Sequence, residues 1–232
     1  MIPKTRFVGI TGEAGATTNT RAAAALYALD VPLDVHRTLT TISGDGIQGV
    51  RITWHFATES PDGKSSAQMI RAWDDREHAR VHPDCPLVNI KAAFLRYAEI
   101  ARAMKDGTME CKAATEPALM TDDAKMAAAM QQLGHPLSGV SFRDGRYWFK
   151  FQQAAAADFA LWHHIDPANT KHPDTMLHAL WCAFDCHKRM VDFIKRQGPQ
   201  FAAVKHRGRT ALIGKDMDKR ELDQLEKLLY RR

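Results

Sequence analysis

Two stretches of this chain, VHPDCPLVNIKAAFLRYAEIARAMK (81–105) and KHPDTMLHALWCAFDCHKRMVDFIK (171–195), align without a gap at an offset of 90 residues. His82, Pro83, Asp84, Leu87, Ala93, Phe94 and Lys105 recur as His172, Pro173, Asp174, Leu177, Ala183, Phe184 and Lys195. Three further blocks keep the same order upstream. AQMIRAW (67–73) answers AADFALW (156–162), RITWHF (51–56) answers RYWFKF (146–151), and TTNTRAAAALYALDVPL (17–33) answers TDDAKMAAAMQQLGHPL (121–137). An internal repeat means one supersecondary unit built twice, so the chain must place two copies that bury each other's apolar faces. We divide it into a first copy at 1–108, a second at 109–198, and a C-terminal appendix at 199–232.

The unit reads as helix, β-hairpin, short helix, long helix. Its first helix is alanine-rich, which suits close packing, and it ends at Asp30 or Gly134 ahead of Pro32 or Pro136. Thr17 and Thr121 are the expected hydroxyl N-caps. The hairpin of copy one carries the extra stretch DVHRTLTTISGDGIQG with Gly-Asp-Gly at its tip, and that of copy two turns at Arg-Asp-Gly. Alternation puts Ile52, Trp54 and Phe56, or Tyr147, Phe149 and Phe151, on one apolar face. The long helix starts at His-Pro-Asp with Asp84 or Asp174 as N-cap. Its apolar residues at 87, 90, 94, 97, 101 and 104, and ninety higher, form a narrow seam. The expected fold is therefore α+β and mainly helical. It is a tandem duplication in which the copies pair through their long helices about a pseudo-two-fold axis. In the appendix, RTALIG reads as a strand, and Leu222, Leu225, Leu228 and Leu229 line one face of a following helix.

Two motifs invite sharper readings. GITGEAGATT (9–18) looks like a phosphate loop, but a P-loop needs a lysine after its last glycine, where this chain has Ala16. The corresponding start in copy two contains no glycine, so the loop is read as a helix start. The repeated His-Pro-Asp resembles the H-P-D of J-domain co-chaperones, which lies between a basic helix and a following helix. That resemblance covers three residues. Copy two lacks the basic stretch upstream, and a hairpin precedes each copy, so capping is the reading taken.

Net charge is +5, yet it is unevenly spread. Residues 1–108 hold 13 Lys+Arg against 12 Asp+Glu, residues 109–198 hold 10 against 10, and residues 199–232 hold 9 against 5. The basic character belongs to the appendix, whose KHRGR segment (205–209) can contact phosphates. No apolar run reaches membrane-spanning length. Four cysteines without a C-x-x-C pair point to reduced thiols in the cytoplasm. His178, Cys182 and Cys186 span about 12 Å of helix, too far to meet on one zinc, and no metal or other cofactor is assigned. No nucleophile–base motif is legible, so the enzyme question leans to no, with an undetected catalytic or zinc site kept as a second alternative.

The outward strand positions carry the functional expectation. Arg146, Trp148 and Lys150 place an aromatic face between two cations, as base stacking plus phosphate contact requires. Arg51 and His55 are their weaker counterparts in copy one, and Lys205, Arg207 and Arg209 add the basic tail. The favoured function is non-enzymatic binding of DNA or RNA, or of a nucleic-acid-handling complex. The alternative is a protein–protein interaction module, an adaptor or an inhibitor.

Overall fold

The structure, a computed structural model, describes residues 14–44, 47–58, 65–114, 118–165, 175–197, 201–206 and 209–214, with 34–52 and those beyond 192 followed along the backbone alone. A short strand β1 (Ala16–Thr17) leads into α1 (Thr20–Ala28), the hairpin β2 (Leu33–Gly44) and β3 (Ile47–Phe56), then α2 (Ser66–Asp74), α3 (Arg76–Val81) and the long α4 (Pro86–Asp106). The order then recurs. β4 (Leu119–Thr121) precedes α5 (Ala124–Gln132), the hairpin β5 (Leu137–Arg143) and β6 (Arg146–Phe151), α6 (Ala156–His164) and the long α7 (Met176–Gln197). A last hairpin, β7 (Phe201–His206) and β8 (Arg209–Gly214), follows. The architecture is α+β and mainly helical.

Beyond the expected elements, a short strand stands at the start of each half, and the first half has the extra helix α3. Each leading strand pairs with the second strand of its hairpin, so the sheets run β1-β3-β2 and β4-β6-β5. Register matches as well: Thr17 lies opposite Trp54 and Leu33 opposite Phe56, as Thr121 lies opposite Phe149 and Leu137 opposite Phe151. Of the expected inner face, Trp54, Phe56, Phe149 and Phe151 are buried and Tyr147 is half-buried, while the side chain of Ile52 lies outside the described residues.

Helix starts required two corrections. The side chains that cap α1 and α5 belong to Asn19 and Asp123, which accept from Arg21 N (3.0 Å) and Lys125 N (2.8 Å). Thr17 and Thr121 act two residues earlier, their hydroxyls each accepting the cap residue's own N–H at 3.1 Å. A β-strand occupies the threonine positions, so the cap can only fall where the chain leaves the sheet. Asp84 is likewise not a cap. It sits in an exposed turn with His82 and Pro83, and α4 begins at Pro86 behind Cys85, because proline at the first helical position has no N–H to satisfy. Asp174 and the helix expected after residue 214 lie outside the described residues. The helix ends fall at the expected residues: Asp30 and Gly134 both take left-handed φ, at 68° and 89°.

Residues 9–13 of the glycine loop lie outside the described residues, and its last glycine, Gly15, has a physical reason. Gly15 N donates to Ser66 Oγ at 2.7 Å, and Phe56 N donates to Gly15 O at 2.9 Å, which locks the start of α2 onto the sheet. A Cβ at Gly15 would stand 2.7 Å from the Ser66 carbonyl carbon and 2.9 Å from Ala67 N, backbone atoms that cannot step aside. We expect Gly15→Ala to lower stability by about 2–3 kcal/mol in a denaturant melt. A change within 0.5 kcal/mol would show that this approach is not tight.

The core departs from the expected seam. α7 packs chiefly on α1, and α4 chiefly on α5, so each half's long helix lies against the alanine-rich helix of the other half. Ala22–Ala25 and Ala127–Ala129 are fully buried there, small enough to let helix backbones close together. The long helices do meet, at Phe94 and Phe184, whose rings are 4.9 Å apart and near-perpendicular. Serving two partners widens the seam, which also takes in Ala93, Ile100, Ala183 and Met190. Side chains tie α4 to α5: Arg96 Nη1 donates to Gln131 Oε1 (2.9 Å) and Gln132 Nε2 to Asn89 Oδ1 (2.8 Å). Among the described residues no helix is long and apolar enough to cross a membrane.

Candidate nucleic-acid interface

The β5–β6 hairpin turns through two residues, Asp144 (φ 53°) and Gly145 (φ 74°), the pair of positive φ angles that matches strand twist. That tight turn fixes what faces what. Arg143 lies directly opposite Arg146, Ser141 opposite Trp148, and Lys150 is flanked by Gly139 on one side and Met120 on the other. All of these share the sheet face turned away from Phe149 and Phe151. Three cations, Arg143, Arg146 and Lys150, therefore frame Trp148. Trp148 and Lys150 are half-buried, Arg143 and Arg146 exposed, and Met120 is 48% exposed.

Arg146 Nη1 binds Asp122 Oδ2 at 2.9 Å, which holds its guanidinium at the hairpin's tip. Arg143 was missed in the sequence because it was counted as part of the turn. The two-residue Asp-Gly turn was itself the signal, since it forces the flanking arginines to pair. Like charges directly opposed on a sheet oppose its stability, so their place at an exposed tip is a feature to explain.

The opposite face of the same tip forms a cleft of about 520 Å³ against the end of α4, lined by Met104, Lys105, Asp122, Phe142, Gly145, Arg146 and Tyr147. The Phe142 and Tyr147 rings are 4.8 Å apart, and Phe142 is 55% exposed.

The other expected residues are dispersed. His55 is half-buried on β3 opposite Ala16, and Arg51 sits on the same strand opposite Thr40. Lys205 and Arg209 flank the turn of the last hairpin, opposite Thr210 and His206, and Arg207 lies outside the described residues. β8 approaches β3, which brings the strand of Arg209 beside that of Arg51 and His55.

Among the described residues, which leave out His172, no group of three or more His, Cys, Asp or Glu side chains could hold a metal ion. Cys182 and Cys186 instead line the buried side of α7, where burial first of all raises their thiols to about 11 and about 12. Cys85 is buried and Cys111 exposed. Native protein at pH 8 is expected to react rapidly with a thiol reagent at one cysteine, Cys111, and at the other three only after unfolding. Fast labelling of Cys182 or Cys186 would contradict this arrangement of α7.

His187 lies beside the Phe94 ring, 5.2 Å between centroids. Burial, then Arg21 and Lys125 on α1 and α5, lower its pKa to about 4. Both forms are neutral above the unfolded value, about 6.5. As pH falls below that value the unfolded chain binds a proton that the fold refuses, and stability drops until pH 4. Partial exposure screens the effect, and we expect about 1–2 kcal/mol lost between pH 7 and 4.5. His187→Asn should flatten that part of the stability–pH curve, and an unchanged curve would remove His187 as its source.

No protein-family model, curated protein or solved structure matches the chain.

Proposed function

We propose that this chain is a tandemly duplicated, non-enzymatic binding protein that holds single-stranded nucleic acid on the outer face of β5–β6. The duplication is supported by the parallel element order, the matching sheet register and the paired caps Asn19 and Asp123. The binding reading rests on one observation, the half-buried Trp148 framed on its own face by Arg143, Arg146 and Lys150. An indole fixed in a sheet offers a π-face that any base can stack on. Cations on either side meet the phosphates, and neither contact requires a particular sequence. In the first half Thr53 takes the place of Trp148, so the stacking function belongs to the second unit and the first retains the cation Arg51. Lys205, Arg207 and Arg209 would extend the phosphate track.

The test is a salt-titrated binding assay of the full chain against single- and double-stranded DNA and RNA. Preference for single strands is expected, with log affinity falling about 0.7 per decade of salt for each phosphate neutralised, about 2 for the three framing cations. Trp148→Ala should weaken binding by about fivefold to a hundredfold with little change in melting temperature. No binding at low salt would sink the reading, leaving a protein–protein module as the alternative to pursue.

A further inference from the structure

We infer that the cleft between the β5–β6 tip and the end of α4 holds one unstacked nucleobase of the bound strand, its phosphate lying toward Lys105 and Arg146. This rests on the proposal that single-stranded nucleic acid lies on the other face of the same hairpin.

The hairpin overhangs the core, so residues on its inner face run out of protein to pack on. Val140 and Phe149 are buried, whereas Phe142, two residues nearer the tip, is 55% exposed. Its ring and that of Tyr147, 58° apart in plane, form one wall of the cleft, and the half-buried Met104 belongs to another. Aromatic rings and a thioether around an open space fit a flat, polarisable ligand. Lys105 and Arg146 outweigh Asp122 by one positive charge, which selects an anionic ligand over a neutral one. The volume, about 520 Å³, is within the range of small-molecule pockets.

Arg146 joins the two faces. It is the first residue of β6, lies opposite Arg143 on the outer face, and also lines the cleft. A strand stacked on Trp148 reaches the cleft by passing the turn, where Gly145 presents no side chain. By sequence, Lys195 on α7 of the second half and Arg51 on β3 of the first correspond to Lys105 and Arg146, but Leu39 and Ile52 stand where the two rings are. The two cations thus recur around the first hairpin, whereas the aromatic pair belongs to the β5–β6 hairpin.

The probe is a single-stranded oligothymidylate carrying photoreactive iodouracil, crosslinked to the full chain and mapped by mass spectrometry. Adducts are expected both at Trp148 and at Phe142 or Tyr147. Phe142→Leu, which keeps an apolar side chain and removes the π-face, should abolish the second adduct and weaken binding about fivefold or more without lowering the melting temperature. Adducts at Trp148 alone, with unchanged affinity in Phe142→Leu, overturn this inference and leave the outer-face reading standing. Preferential uptake of N-acetylphenylalaninamide over the oligonucleotide's base would overturn it in favour of a peptide site. No binding by the unmodified chain takes down both.

Discussion

Phe94→Ala should remove about 3–5 kcal/mol of stability, the largest single-residue effect expected in this protein. Phe94 is 2% exposed and stands where the two long helices cross. Its ring contacts Phe184 at 4.9 Å, His187 at 5.2 Å and Trp73 at 6.4 Å, so truncation empties a site bounded by both halves. Neither long helix can slide to fill it, because each is held by the alanine-rich helix of the opposite half. For a chain of this size the loss corresponds to a fall in melting temperature of roughly 10 °C. Phe184→Ala should cost a similar amount. The double variant should lose less than the two single losses combined, by about 0.5–1.5 kcal/mol, because each ring is part of the other's environment. Leu95→Ala, half-exposed on the same helix, is the control and should stay within about 0.5 kcal/mol. A Phe94→Ala cost near that of Leu95→Ala would mean that the halves do not meet at this point.

The same helices show how far the sequence could be read. Positions 87, 90 and 94, with 177, 180 and 184, were legible as core because apolar residues at spacings of three and four have one destination. Which surface they meet was not legible. A seam pattern is the same whether the partner is the twin helix or an alanine-rich helix, and alanine carries too little area to announce itself as a partner. Capping failed for a related reason. Thr17 and Asn19 are both good caps, and the choice between them depends on β1, a strand of two residues with no period to detect. At the candidate interface Arg146, Trp148 and Lys150 were found by alternation alone. Arg143 and the Phe142–Tyr147 pair needed the exact turn length, which alternation does not supply. Lys105 and Asp122 needed tertiary structure, since they come from α4 and from the loop before α5.

Arg143→Glu is expected to separate stability from binding, moving them in opposite directions. Arg143 directly opposes Arg146, a like-charge pair that costs the sheet roughly 0.2–1 kcal/mol. Asp122 relieves part of this by binding Arg146 at 2.9 Å, but it follows β4, which lies on the other side of β6 from β5 and Arg143. Glutamate at 143 would turn the repulsion into a cross-strand ion pair, and stability should hold or rise by about 0.5 kcal/mol. Binding should move the other way. The substitution takes two positive charges from the face that frames Trp148, lowering affinity for single strands about tenfold or more at low salt and reducing the salt slope by about one. Arg143→Gln removes one charge and should fall between. A charge pair kept for structure would lose stability in both variants. A charge pair kept for phosphate contact loses binding while the fold is unharmed, and parallel melting curves and salt titrations decide between them. Unchanged affinity in Arg143→Glu, with Trp148→Ala also silent, would move the search for this protein's partner from the β5–β6 face to the last hairpin, where β8 lies against β3.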